Sequence, residues 1–128
     1  MPTPALRKVD SIMYKVKDLA VSEVFYTDVM GMTKVWEDAD QGMVGFLLKD
    51  SDSEVVIHTR DDLPPFSYNY LVDNVRQFCD EHRRKDYKIA FGPIKVRSGS
   101  YAVLVDPDGN RIPIIDLTEF GGVPRYDR

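Results

Sequence analysis

Between Val9 and Val16 the residues Ile12, Tyr14 and Val16 alternate with Ser11, Met13 and Lys15, the period of two that marks a strand with two unlike faces. Asp18 then stands where a helix cap is wanted. Val21, Val24, Phe25 and Val29 follow at spacings of three, four and eight, with Gly31 as a stop. This pattern predicts a helix that packs on a sheet through that stripe. Three β-rich stretches come next, Thr33 to Trp36, Met43 to Leu48 and Val55 to Thr59, separated by polar turns at Glu37 to Gly42 and Asp50 to Glu54. The adjacent prolines within Asp61 to Pro65 suit neither a helix nor a central strand and predict a connector.

After the connector the order repeats. Ser67 to Val72 reads as a strand, Asn74 with Gln77 three residues later forms a capping box, and Val75, Phe78, Cys79 and His82 lie at i, i+3, i+4 and i+7 of a second helix. Ile89 to Phe91, an extended Gly92-Pro93-Ile94-Lys95 segment, the strand Tyr101 to Val105, the turn Asp106 to Gly109 and the strand Ile112 to Leu117 complete the half. Val16 and Val72 close the first strand of each half 56 residues apart, and Asp50 and Asp106 repeat that offset at the start of a turn. The chain therefore reads as α+β, two βαβββ modules in one domain: module 1 over about 8–60, a connector over about 61–65, module 2 over about 66–118 and a tail over 119–128. Each module alone has an exposed sheet edge and little core, so the two should pair, within one chain or between chains.

Composition narrows the function classes. A chain of 128 residues and 14.7 kDa, 43% apolar and 30% charged, has the makeup of one globular domain. No apolar run approaches the roughly 18 residues of a membrane span, and the N-terminus has no apolar signal region, so a cytoplasmic protein is expected. The single cysteine, Cys79, lies on the apolar stripe of the second helix and reads as a small core residue; it excludes an internal disulfide. A net charge of -4 and a pI near 5.1 argue against nucleic acid, the run His82 to Lys85 being a solvated helix end. The acidic turns at Asp50 and Asp106 lack the glycine and glutamate spacing of calcium loops.

Two runs remain: Val16-Lys17-Asp18-Leu19 followed by Ser22, Phe25-Tyr26 and Gly31-Met32, and Gly92-Pro93 followed by Asp106-Pro107-Asp108-Gly109-Asn110 before the final strand. In these the sequence resembles, over nearly its whole length, the vicinal oxygen chelate superfamily of glyoxalases, bleomycin resistance proteins and dioxygenases. The resemblance implies a curved mixed β-sheet cup with a helix packed outside each module. It also implies a homodimer in which βαβββ units of two chains complete the cup.

Metal-dependent members present one His, Gln or Glu ligand from each of four cavity strands. By the same resemblance the matching positions here are Ser11, His58, Ser67 and Pro113. Two hydroxyls and a proline are poor ligands, and one imidazole cannot hold zinc, nickel or iron alone, so neither a metal nor another cofactor is expected. Alternation places Ser11, Met13, His58, Ser67, Asn69 and Pro113 on the cavity side, opposite Ile12, Tyr14, Tyr68 and Tyr70. Trp36, Phe46 and Tyr101 are stacking candidates there, with Lys34, Arg60 and Arg97 as cations at the rim. The expectation is a metal-free protein that binds a small organic molecule, aromatic ones included. The alternative is a lyase, isomerase or dioxygenase relative that uses His58, the only catalytic candidate, or an atypical metal site. A regulatory or immunity module with a protein partner is a third class.

Overall fold

The computed structural model describes residues 5–123, so the last five residues of the expected tail lie outside the described ones. The elements follow the expected order: β1 (Lys8–Lys15), α1 (Leu19–Val24), a π-helical turn (Phe25–Val29), β2 (Thr33–Asp38), β3 (Met43–Leu47), β4 (Glu54–His58), β5 (Phe66–Leu71), α2 (Val75–Arg84), β6 (Ile89–Lys95), β7 (Ser100–Val105) and β8 (Arg111–Ile115). The described residues are α+β, with eight strands among them and βαβββ read twice. Two compact units emerge, one of residues Ser11–Tyr68 and one in which the chain up to Asp10 joins residues from Asn69 on. No described helix is long and apolar enough to cross a membrane.

In the Ser11–Tyr68 unit the strand order is β2-β3-β4-β1, with β1 parallel to β4 and the other pairs antiparallel. Val44, Phe46 and Ile57 are fully buried beneath Val16, Leu19, Tyr26 and Met32. The Asp18 side chain accepts from the Val21 amide at 3.1 Å, which supplies the expected cap. The stripe does not behave as expected. Val21, Val24, Phe25 and Val29 face water, and Leu19 and Tyr26 meet the sheet instead. Leu19 points inward, and Tyr26, seven residues on, returns to the same side. The turn then widens into π geometry, with the Met30 amide donating to the Phe25 carbonyl at 3.0 Å.

In the other unit the order is β5-β8-β7-β6. Val72, Val75, Cys79, Ala102, Leu104 and Ile114 form its core. Asp116 is 1% exposed and ties the unit together. Its carboxylate accepts the Val75 amide at the start of α2 (2.7 Å), the Ser100 amide of β7 (2.9 Å) and the Thr118 hydroxyl (2.9 Å). Helix α2 ends in a Schellman motif, the Tyr87 amide donating to the His82 carbonyl (3.1 Å) and the Asp86 amide to that of Arg83 (2.9 Å), with Asp86 left-handed at φ 62°. The segment around Gly92-Pro93, a cis pair, is part of β6, whose ladder with β7 is interrupted there. Asp106 closes the β7–β8 turn by accepting from Asn110 through backbone (2.8 Å) and side chain (2.9 Å).

Candidate functional site

Strand register decides which side chains share a face. In the Ser11–Tyr68 unit, Ile12, Val55 and Phe46 stand side by side, as do Tyr14, Ile57 and Val44, and these rows face α1. The opposite face therefore carries Ser11 beside Glu54, Met13 beside Val56 and Gly45, and Lys15 beside His58 and Met43. Trp36 lies across Gly45, where any β-carbon would be driven into the indole ring. Its Nε1 donates to the Glu54 carboxylate. Glu54 is only 7% exposed, so the centre of this face is a buried carboxylate held by a tryptophan, with Ser11 alongside.

Of the residues singled out in sequence, Ser11, Met13 and Trp36 gather around Glu54. Phe46 does not: its ring packs 5.9 Å from that of Tyr26 on the helix side, fully buried in the core. Lys34 is held by Glu37 of its own strand (2.7 Å) and by Glu23 of α1 (2.9 Å), which raise its pKa. Arg60 pairs with Asp62 and with Gln41. Ser67 lies opposite Phe66 and Tyr68, which join Tyr14 in a row of ring contacts. In the other unit, Tyr101 and Pro113 flank Val103 on the face away from α2, Tyr101 lying 6.3 Å from the Phe91 ring. Buried Asn69 precedes Tyr70, whose ring packs on the α2 core, and so belongs to the same face as Pro113. Arg97 is exposed in the turn between β6 and β7.

His58 sits on the Glu54 face but four residues further along β4, beside Lys15 rather than Ser11. Its Nδ1 accepts the Arg60 amide at 3.2 Å, which places the ring proton on the buried Nε2. Burial lowers the His58 pKa, the Pro64 carbonyl opposes, and the charges of Lys15 and Arg60 lower it further. With Nδ1 engaged, the neutral ring offers Nε2–H as its donor.

Glu54 is the residue that sequence reasoning missed, since Asp50 to Glu54 reads as a turn. The available signal is the alternation of Glu54, Val56 and His58, which gives the carboxylate the same face as the histidine. The family's metal does not fit these residues. Ser11, Ser67 and Pro113 offer no nitrogen, sulfur or carboxylate donor, and Glu54 and His58 are separated by about 13 Å of strand. Among the described residues no group of three or more His, Cys, Asp or Glu side chains can hold a metal ion. A cavity of about 380 Å³ on the helix side of the other unit is walled by Phe78, His82, Tyr87, Leu104 and Ile112, none of them a predicted cavity residue.

The family model described as Glyoxalase/Bleomycin resistance protein/Dioxygenase superfamily matches residues 8–114. None of the curated proteins matches the sequence. Among solved structures, methylmalonyl-CoA epimerase from Mycobacterium tuberculosis superposes with a TM-score of 0.62 at 15% identity, over 99% of this chain and 95% of that one. A glyoxalase/bleomycin resistance protein/dioxygenase superfamily member from Vibrio splendidus 12B01 gives 0.60 at 18%, over 88% and 99%. An extradiol ring-cleaving dioxygenase from B. fuscum gives 0.56 at 18%, over 91% of this chain and 34% of that one. At these identities the likeness is one of fold.

Proposed function

The chain belongs to the glyoxalase/bleomycin resistance protein/dioxygenase superfamily, and from that premise we propose that it binds a small planar organic molecule, without a metal, on the Trp36 and Glu54 face. The Trp36–Glu54 pair carries this reading. An indole fixed over Gly45 offers a stacking plane, and the buried carboxylate beside it is a hydrogen-bond acceptor. Together they select a planar ligand that donates an N–H or O–H. Ser11 and Met13 complete the surface with one small polar and one adaptable apolar group. The donor set of the four cavity strands supports the absence of a metal.

Trp36 is the only tryptophan, so its emission reports on this face alone. Titration with benzamide, phenol and catechol should quench or shift the emission saturably with at least one of them. Glu54→Gln, which keeps an oxygen for the indole but loses the charge, should weaken that binding about tenfold, as the loss of one charge-assisted hydrogen bond would. Emission indifferent to all three compounds, or stoichiometric nickel, zinc, iron or manganese in the purified protein, sinks the reading. The burial of Glu54 favours a second reading, an isomerase or lyase in which this carboxylate takes the proton-transfer role that the sequence suggests for His58. Deuterium exchange from solvent into a bound ligand, lost in Glu54→Gln, separates that reading from simple binding.

A further inference from the structure

The cavity of about 380 Å³ beside α2 belongs to the unit that contains neither Trp36 nor Glu54, and local signals build it. The Schellman turn that ends α2 carries the chain back, so that the Tyr87 ring lies 5.2 Å from that of His82. Phe78 and His82, one helical turn apart, share the α2 wall, and Leu104 of β7 with Ile112 of β8 line the sheet side. Leu104 is buried, whereas Leu6 and Tyr87 are 43% and 56% exposed, so apolar surface lines the opening as well as the base. Small-molecule sites run from roughly 300 to 1,000 Å³, and this volume suits a ligand of one or two rings.

The charged groups around the cavity are not equally available. Glu81 is held by Arg84 at 2.5 Å, and the Asp106 carboxylate is turned into its own turn, where it accepts the Asp108 and Asn110 amides at 2.9 and 2.8 Å. Lys85 has no ion-pair partner among the described residues, although Arg83 and Arg84 before it both have one. His82 brings a buried Nε2 that has no hydrogen bond among the described residues, and such an atom costs stability until an acceptor or donor meets it. The last carbonyls of α2, which would repel an anion, are covered by the Asp86 and Tyr87 amides. Both acids are thus engaged while a cation and an imidazole stand open beside three aromatic rings.

We propose that this cavity is a second ligand site, for a small aromatic carboxylate. Its rings pack among Phe78, Tyr87, Leu104 and Ile112, and its carboxylate accepts from Nε2–H of His82 and pairs with the Lys85 ammonium. The Trp36–Glu54 face selects a hydrogen-bond donor and this cavity an acceptor, so the two sites take different molecules, and the proposal does not rest on the reading of that face.

The chain has only two histidines, so proton–nitrogen spectra of the imidazole rings in the full chain report on the cavity through His82 and on an internal control through His58. Titration with naphthoate should move the His82 signals saturably, with a dissociation constant below about 1 mM, hold the ring proton on Nε2 and leave His58 in place. Naphthylmethanol, which keeps the rings and lacks the charge, should bind about fivefold more weakly. Lys85→Glu should weaken naphthoate about fivefold and leave the alcohol unaffected, whereas Tyr87→Ala should weaken both. Each position is exposed, so both variants should keep the amide spectrum of the parent. His82 signals indifferent to naphthoate at about 5 mM, His58 signals that move in step with them, an alcohol that binds as tightly as the acid, or Lys85→Glu without effect overturns the proposal.

Discussion

The two helices begin 56 residues apart with the same device, a side chain at Asp18 or Asn74 that accepts an amide three residues on, yet they treat their apolar stripes in opposite ways. Helix α2 turns its stripe to the sheet, burying Val75 and Cys79, and carries ion pairs such as Glu81–Arg84 (2.5 Å) outward. Helix α1 buries no residue completely and carries its stripe outward. The difference lies at the first turn. The Val75 amide is claimed by Asp116, a buried carboxylate from beyond β8, which fixes the rotation of α2 against its sheet. The same offset from Asp116 leads in module 1 to Arg60, which pairs with Asp62. Helical spacing thus predicts that a helix exists; a tertiary anchor decides which face it buries.

The largest test of that contrast is the anchor itself. Asp116→Ala should strip the acceptor from several buried donors and cost about 3 kcal/mol or more in chemical denaturation, whereas Arg60→Ala, which loses exposed pairs, should cost about 1 kcal/mol at most. A similar loss at both positions would erase the distinction between the modules. Next in size are the stripes. Val75→Ala should cost about 1–2 kcal/mol through lost burial, while Val24→Ala should stay within about 0.5 kcal/mol of the parent. A Val24→Ala loss as large as that of Val75→Ala would mean that the stripe of α1 is packed after all.

The smallest effect separates the modules by pH. His58 in module 1 has its pKa lowered by burial, so between its folded value and the ordinary value near 6.5 the unfolded chain binds a proton that the folded chain refuses. Stability from this group is therefore complete above about pH 6.5 and declines as the pH falls below it. His58→Gln should flatten the slope of melting temperature against pH just below pH 6.5. The carboxylates with lowered pKa, Asp61, Asp62 and Asp106, act below the ordinary 3.8 and leave that window clear. An unchanged slope in His58→Gln would assign it to other groups.

Much of the fold is legible in the sequence because its signals are local. The caps, the turn at Asp106 with its Asn110 partner, and the period-two strands depend on neighbours a few residues apart. The candidate site is less legible, since it depends on register. Ser11 and Trp36 are visible as types of residue, but only the parallel pairing of β1 with β4 puts Glu54 beside Ser11 and moves His58 to Lys15. Phe46 shows the same limit. One step along β3 separates a stacking surface from a core residue, and the bulge between Lys34 and Trp36 shifts the pairing there by one.

One ladder contact also constrains biosynthesis. The Arg7 amide donates to the Leu71 carbonyl (2.8 Å), and the Arg7 guanidinium lies 3.2 Å from Asp73, so the first described residues belong with a segment made more than sixty residues later. At ribosomal speeds of about 5–20 residues per second, the partner of Arg7 follows it by roughly 3–13 s. During that interval neither contact of Arg7 can form. A nascent chain halted before Leu71 should leave the segment around Arg7 open to protease, and release past Asp73 should close it.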